Sequence, residues 1–165
     1  MDFSLSLTLN RTKNKFAIKD ILSNEDLFKC ISDDHSNIND FDIDIESDHW
    51  LLLSTEDELI GCYKVETRNS SHIEVHTNIL PKHRKKYSKE AGLLLYEWIL
   101  SYERIMKLTV TIPVIFNNVR DYCLHFGLSD EGLNKSSIMK GGKLLDQWVM
   151  GITREKISEV LNGFN

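Results

Sequence analysis

The stretch HIEVHTNILPKHRKKYSKEAGLLLYEWI, residues 72–99, joins a strand pattern to a helix pattern through a cluster of basic residues. Polar and apolar residues alternate from His72 to Leu80, which is typical of a strand with one buried face. Pro81 ends that strand because proline has no backbone N–H to donate to a ladder. Ser88 is a good helix cap, and apolar residues follow it at helical spacing, namely Ala91, Leu94, Leu95, Trp98 and Ile99. The stretch therefore predicts a strand, a basic turn and a helix that begins near Ser88.

The residues before this stretch predict further strands. Residues 49–55 and 59–67 are β-rich runs around a short acidic turn, which favours a hairpin, and the strand at 72–80 follows after the polar turn RNSS. These three strands would form an antiparallel meander. Residues 15–21 alternate loosely and predict a short strand, and residues 23–26 offer a helix cap with acidic residues in the first turn.

The residues after this stretch repeat the order of strand and helix. Residues 107–115 are rich in β-branched side chains and predict a buried strand, and residues 117–128 predict a short helix closed by Gly127. A hairpin with Gly141 and Gly142 at its turn follows, and residues 155–165 predict a tail or a terminal helix. The whole order indicates an α/β (α+β) fold in one domain, residues 1–165, with a core at about 15–154.

Composition narrows the class of protein. The chain has 165 residues, 41% of them hydrophobic, and a formal net charge of −5, which suits one globular domain and makes nucleic-acid binding an unfavoured function. Three widely spaced cysteines and scattered histidines predict neither a disulfide framework nor a metal site. Because no long apolar run or signal-peptide pattern occurs, we expect no membrane partner and a cytoplasmic protein, or one carried inside an assembly.

An acidic segment, residues 33–48, carries seven Asp or Glu side chains with isolated apolar residues between them. This pattern predicts a solvated loop or a weak edge strand. A cation or partner site is the alternative, although the segment lacks the glycine of a calcium-binding loop.

The order of elements, with a basic turn between the third meander strand and the long helix, resembles the GNAT superfamily of N-acetyltransferases over residues 15–154. The C-terminal half carries the most specific likeness, on Asn117, Tyr122, Gly127, Leu128, Glu131, Gly132, Gly142, Asp146 and Ile152. The resemblance implies a mixed, mainly antiparallel central sheet of six to seven strands flanked by helices. The PKHR turn and the GKLLDQW strand also resemble a phage- and prophage-encoded branch that includes internal virion proteins.

The same resemblance implies acetyl-CoA as the cofactor and gives the basic turn a role. In the family, backbone amides after the fourth strand hold the coenzyme's pyrophosphate at a helix start, where peptide dipoles favour anions. The matching positions are Arg84, Lys85, Lys86, Tyr87, Ser88 and Lys89, with Tyr87 and Lys89 standing where the family has small residues. Two other interpretations of the basic turn are a contact with another polyanion or acidic protein surface, and a simple solvated turn.

Catalytic candidates also follow from the resemblance. Glu74 matches the family's base and shares one strand face with His72, His76 and Asn78, although a solvent-exposed sheet face would give the same alternation. Ile79 and Leu80 match the backbone amide that polarises the thioester. Tyr122 is one position from the slot of the family's acid, so packing is the alternative role. Asn117 and Asn118 suit a helix cap that also contacts the cofactor's pantetheine arm.

The sequence thus predicts an acetyl-CoA-dependent N-acetyltransferase in which an amine attacks the thioester directly. The amine would belong to a small molecule or a protein, and the acids within residues 30–48 and 129–147 suit a cationic acceptor. The alternative is a catalytically degenerate phage GNAT-like domain that acts as a virion or partner-binding protein. In either case phage virion or host proteins are candidate partners, and the location would be the host cytoplasm or the virion.

Overall fold

A computed structural model describes residues 6–164 of the chain. Over those residues seven strands form one sheet in the order β1-β2-β3-β4-β5-β7-β6. The strands are β1 Thr8–Thr12, β2 His49–Ser54, β3 Leu59–Thr67, β4 His72–Ile79, β5 Lys107–Pro113, β6 Ser129–Lys140 and β7 Lys143–Thr153. Neighbouring strands are antiparallel except β4 and β5, which are parallel. This confirms the predicted meander and the mainly antiparallel sheet.

Five helices accompany the sheet within the same described residues: α1 Lys15–Leu22, α2 Glu25–Ile31, α3 Pro81–Leu100, α4 Asn117–His125 and α5 Arg154–Phe164. One apolar cluster packs α3 against one face of the sheet, with Leu95 and Ile99 near Val65 and Val75. A second cluster packs α1 and α2 on residues such as Trp50 and Cys62. Burying an apolar layer on each face of the sheet is the usual way such a fold gains stability.

The predicted strand at residues 15–21 is wrong, because these residues form helix α1. The Asn14 side chain accepts hydrogen bonds from the amides of Phe16 and Ala17, which caps the helix. Ile18, Ile21 and Leu22 are buried at helical spacing, whereas alternation would have exposed part of this set. The first strand lies earlier, in β1, outside the predicted core of residues 15–154.

The predicted start of the long helix at Ser88 is also wrong, since α3 begins at Pro81 directly after β4. Proline is favoured at the first helical position because the missing N–H would have no intrahelical partner there. His83 and Tyr87 are buried four residues apart, and the series continues into the apolar face of the helix at Ala91. The basic residues therefore lie on the first turns of a helix and not in a turn before it.

The later elements follow the sequence closely. Gly127 has φ +85° just after α4, as expected of a glycine that closes a helix. Gly141 and Gly142 have φ +58° and +72°, which suits a two-residue hairpin turn between paired Lys140 and Lys143. Residues 32–48 connect α2 to β2 without a helix or strand in the described chain, as the acidic pattern predicted.

Candidate active site

The central feature of the site is a gap between β4 and β5. Their parallel pairing joins His72 to Lys107 and ends, in the described chain, where Glu74 pairs with Thr109. Beyond that point the strands separate, so the edge of β4 that faces β5 is left open. A backbone edge left open in this way can present amides to a ligand.

The backbone amides of Ile79 and Leu80, the two predicted donors, point to opposite sides of β4. The Leu80 amide donates to the carbonyl of Ile60 at 3.0 Å, so it is taken up on the β3 side and does not fit the predicted role. Because successive residues of a strand point their N–H groups to opposite sides, the amide of Ile79 faces the gap. The Ile79 carbonyl oxygen accepts a hydrogen bond from Arg84 Nε at 3.1 Å.

Most of the backbone of the basic segment is bonded within the helix and is not free to hold a phosphate. In a helix that begins at Pro81, the amides from Lys85 onward donate to carbonyls four residues earlier. The amides of Tyr87, Ser88 and Lys89 are therefore part of the helix, which contradicts their predicted role as backbone donors. The absence of the family's glycines explains this, since Lys85, Lys86 and Tyr87 favour a continuous helix where glycine would interrupt it.

The basic side chains of the same segment are exposed and can contact an anion in solution. Arg84, Lys85, Lys86 and Lys89 are all exposed, and they put a strongly positive surface on the first turns of α3. Lys86 and Lys89 lie over the rings of Tyr87 and Phe164, at 4.7 and 4.9 Å from the ring centroids. Tyr87 is 6% exposed and points into the core, so its ring does not crowd this surface.

Helix α4 packs tightly on α3 next to the gap. The Tyr122 hydroxyl donates to the carbonyl oxygen of Ser88 at 2.7 Å, and burial raises the pKa of Tyr122. A Cβ atom at Gly92 would lie 2.5 Å from Phe126 and 2.6 Å from the Tyr122 hydroxyl, so glycine is required for this close approach. The remaining cavity between the two strands and the two helices measures about 40 Å³.

Asn117 and Asn118 lie exposed at the start of α4. The prediction that one of them caps this helix is wrong, because the cap position is Phe116 and Asn117 is already the first helical residue. Their proposed contact with a pantetheine arm stays a prediction.

A polar cluster lies on the other face of the same strands. Glu74 is 9% exposed and accepts hydrogen bonds from Arg68, through Nε at 2.8 Å and through Nη2, and from the Thr111 hydroxyl at 3.2 Å. The Glu74 carboxylate also raises the pKa of Arg68. His76 lies beside Glu74, with Nε2 at 3.8 Å from Oε1. The sequence placed Glu74 and His76 on one face, but nothing in the polar turn RNSS indicated Arg68 as a partner.

A larger cavity of about 450 Å³ lies between α2, the loop after it, the start of α4 and the β6–β7 hairpin. Its lining includes Phe28, Lys29, Asp33, Asp34, Ser36, Phe116 and Lys140. Asp33, Asp34 and Ser36 come from one segment in which the sequence predicted acceptor contacts, residues 30–48, and Lys140 comes from the other, residues 129–147, whereas Phe28, Lys29 and Phe116 lie in neither. Asp40 and Asp42 are exposed elsewhere on the acidic loop.

The hairpin tip and the acidic loop are joined by reciprocal hydrogen bonds at this cavity. Asp34 accepts from the amides of Gly141 and Gly142 at 2.8 and 2.7 Å, and these bonds lower the pKa of its carboxyl group. Lys140 donates to the carbonyls of Lys29 and Ser32 at the end of α2, and burial lowers the pKa of Lys140. We call these contacts of Asp34 and Lys140 the hairpin clasp.

Two features are absent from the described residues: a cluster of metal-ligand side chains and a helix that could cross a membrane. Residues 6–164 contain no group of three or more His, Cys, Asp or Glu side chains placed to hold a metal ion. None of the helices within those residues is long and apolar enough to cross a membrane.

Acetyl-CoA fits the site in part. The exposed cations of α3 suit the negative charge of its diphosphate, and the Ile79 amide faces the gap where a thioester oxygen would need a donor. The helix amides from Lys85 onward do not contribute, and the bond from Tyr122 to Ser88 narrows the gap. The residues therefore fit the coenzyme through side-chain charge and one strand amide.

Solved structures confirm the fold. The spermidine N-acetyltransferase from Vibrio cholerae, in complex with CoA and spermine, matches with a TM-score of 0.79 and 15% identity, over 93% of this chain and 98% of that chain. Mutant forms of the spermidine/spermine N-acetyltransferase SpeG from Vibrio cholerae match with a TM-score of 0.76 and 15% identity, over 97% and 99% of the two chains. The fold of this chain is thus the mixed α/β fold of the GNAT N-acetyltransferases.

Sequence comparison gives a family and no activity. A search of curated proteins found no match. A family model described as a protein of unknown function, DUF2824, matches residues 15–163, which include every helix and strand of the described residues 6–164 except β1 and the end of α5. The chain therefore belongs to the DUF2824 family.

Proposed function

We propose that this protein is an N-acetyltransferase that transfers an acetyl group from acetyl-CoA to an amine by direct attack. The observation that carries the proposal is the gap between β4 and β5, with the Ile79 amide directed into it. When bound, acetyl-CoA would supply the acetyl group as a thioester, which an amine can attack without an enzyme-bound intermediate.

The chain's own residues have separate tasks in this proposal. Arg84, Lys85, Lys86 and Lys89 hold the diphosphate by charge, and the Ile79 amide donates to the thioester oxygen as negative charge develops there. Asn117 and Asn118 contact the pantetheine arm from the start of α4. Tyr122 is protonated at neutral pH and would donate that proton to the departing thiolate once its bond to Ser88 is exchanged. Burial raises the pKa of Tyr122 and so weakens it as an acid while it stays buried.

The 450 Å³ cavity is the proposed acceptor site. Asp33 and Asp34 are balanced by Lys29 and Lys140 in its lining, and Phe28 and Phe116 give it aromatic walls, which favour an ammonium group through cation–π contact. The Lys140 ammonium lies 5.6 Å from the centroid of the Phe116 ring, so a cation of the chain already faces this ring. The Vibrio cholerae neighbour in complex with spermine makes a polyamine the first acceptor to test.

An acetyl-transfer assay tests the proposal directly. The full chain would be incubated with acetyl-CoA and, separately, with spermine, spermidine, a lysine-rich peptide and a neutral amine. Release of free thiol, together with an acetylated product identified by mass spectrometry, is the expected result for the cationic amines. Thiol release that does not depend on any amine would contradict the proposal.

The second candidate is a non-enzymatic GNAT-like domain that binds a partner protein. Its specific support is the continuous helix α3, whose amides are used internally, and the bond from Tyr122 to Ser88 across the coenzyme gap. Assignment to the phage- and prophage-encoded branch, in the host cytoplasm or the virion, stays a prediction within this candidate. Co-purification with particle proteins in stoichiometric amounts, without acetyl-CoA binding, would favour it.

A further inference from the structure

The end of the β4–β5 pairing decides which polar side chain of β4 can reach a substrate. Glu74 lies at the last paired position, opposite Thr109. His76 is the next residue on the same strand face, and it lies beyond that position, where the strands have separated. Of the two, His76 is therefore closer to the open part of the gap.

Glu74 is already committed to other groups. Its carboxylate accepts hydrogen bonds from Arg68 and from Thr111, and its side chain is 12% exposed. A carboxylate held in this way by a guanidinium is fixed in position and stabilised as an anion. These contacts suit a group that orients a neighbour better than one that meets an incoming amine.

His76, unlike Glu74, is not held by hydrogen bonds from its described neighbours at Nε2. Its side chain is 41% exposed, yet its Nε2 atom is buried without a hydrogen-bond partner among the described residues. That nitrogen points to two carboxylates, with Glu66 Oε1 at 3.5 Å and Glu74 Oε1 at 3.8 Å. Other charged groups lie in the same cluster: Lys64 forms ion pairs with Asp48 and Glu66, and Arg68 forms one with Glu66. Two negative oxygens near Nε2 favour a proton on Nε2, which leaves Nδ1 as the acceptor.

We propose that His76 is the catalytic base of the acetyl transfer, and that Glu66 and Glu74 are positioning residues that hold its tautomer. The assignment rests on the proposed function. As the amine nitrogen bonds to the acetyl carbon and the carbon–sulfur bond breaks, Nδ1 of His76 takes the proton that the amine loses. The thiolate takes a separate proton, from Tyr122 or from water.

Kinetics of His76→Gln test the assignment. We expect kcat/KM to fall by about 100-fold or more, with KM for the amine little changed, because a positioned base contributes about 10²–10⁴-fold to a rate. A catalytic base gives the pH–rate profile one limb, and we expect His76→Gln to lack the limb that the wild-type chain shows. The matched control is His49→Gln, since His49 also has a buried ring nitrogen without a described partner but lies on β2, two strands from β4. Full activity with an unchanged profile in His76→Gln would overturn the assignment.

A measurement without substrate separates this inference from the proposed function. Nitrogen-15 NMR of the imidazole rings, assigned by loss of one signal in His76→Gln, reports which nitrogen carries the proton. We expect neutral His76 to carry it on Nε2, and Glu66→Gln to weaken that preference, whereas a proton on Nδ1 would overturn the inference. If the wild-type chain transfers no acetyl group, the assay contradicts the proposed function. The NMR measurement of the His76 tautomer still tests whether Glu66 and Glu74 hold the proton on Nε2.

Discussion

The hydroxyl of Tyr122 donates a hydrogen bond to the main-chain carbonyl oxygen of Ser88, with 2.7 Å between the two oxygen atoms. This contact joins α4 to α3 at the place where a coenzyme arm would pass between the two helices. We expect Tyr122→Phe to lower the free energy of unfolding by about 1 kcal/mol, the usual cost of losing one part-buried hydrogen bond. Urea denaturation followed by circular dichroism measures this difference.

The same variant tests the acid role of Tyr122. If the hydroxyl protonates the thiolate, kcat falls at saturating substrate, because the phenylalanine ring has no proton to give. A stability loss with unchanged kcat would leave Tyr122 with a packing role alone.

The close approach of α3 and α4 depends on Gly92. A methyl group there would meet Phe126 at 2.5 Å, and we expect Gly92→Ala to destabilise the fold by about 1–3 kcal/mol. The matched control is Gly132→Ala, since a Cβ at Gly132 has no described heavy atom within 4 Å. Thermal or urea unfolding of the two variants should differ clearly, and equal stabilities would contradict the packing account.

The hairpin clasp should depend on pH through Asp34. Hydrogen bonds from the amides of Gly142 and Gly141 lower the pKa of this carboxyl group, so the ionised form is favoured in the folded state. Its contribution is present above the ordinary Asp value of about 3.9 and is lost as the pH falls through the lowered value. The amide chemical shifts of Gly141 and Gly142 should therefore move at acidic pH.

The control for this titration is Asp34→Asn. In that variant the two glycine amides should show no acid transition, because the group that titrates beside them is gone. An unchanged transition in the variant would assign it to another acid of the loop, such as Asp33.

The basic surface of α3 gives a prediction about coenzyme affinity. Charge reversal in Lys85→Glu should weaken acetyl-CoA binding, and added salt should weaken wild-type binding, because both effects reduce attraction between exposed charges. Lys19→Glu is the matched control, an exposed lysine on α1, which packs on the other apolar cluster. Equal losses in the two variants would show a general effect of net charge and would contradict a local site.

The sequence was most informative where local patterns and glycines decide the structure. The alternation in β4, the hairpin glycines at 141 and 142 and the Gly127 helix end all predicted what the structure contains. The loose alternation of residues 15–21 predicts a strand, but the Asn14 cap and a buried face at helical spacing make these residues helix α1. The basic residues predict a turn before α3, but the buried series of His83, Tyr87 and Ala91 makes them part of the helix.

The contacts that form the candidate site were harder to predict, because they join distant parts of the chain. Asp34 meets Gly141 and Gly142 across 107 and 108 positions, and no local pattern links them. The pairing of Glu74 with Arg68 depends on how the turn after β3 folds back on β4. Side-chain partners of this kind follow from the tertiary fold.

The claim on which the proposed function depends is that this fold binds acetyl-CoA even though the α3 amides from Lys85 onward are bonded within the helix. Calorimetric titration of the full chain with acetyl-CoA, repeated with Arg84→Glu, measures this most directly. The account predicts saturable binding of one coenzyme per chain and a clear loss of affinity in the variant. No heat of binding to the wild-type chain at millimolar acetyl-CoA would contradict it.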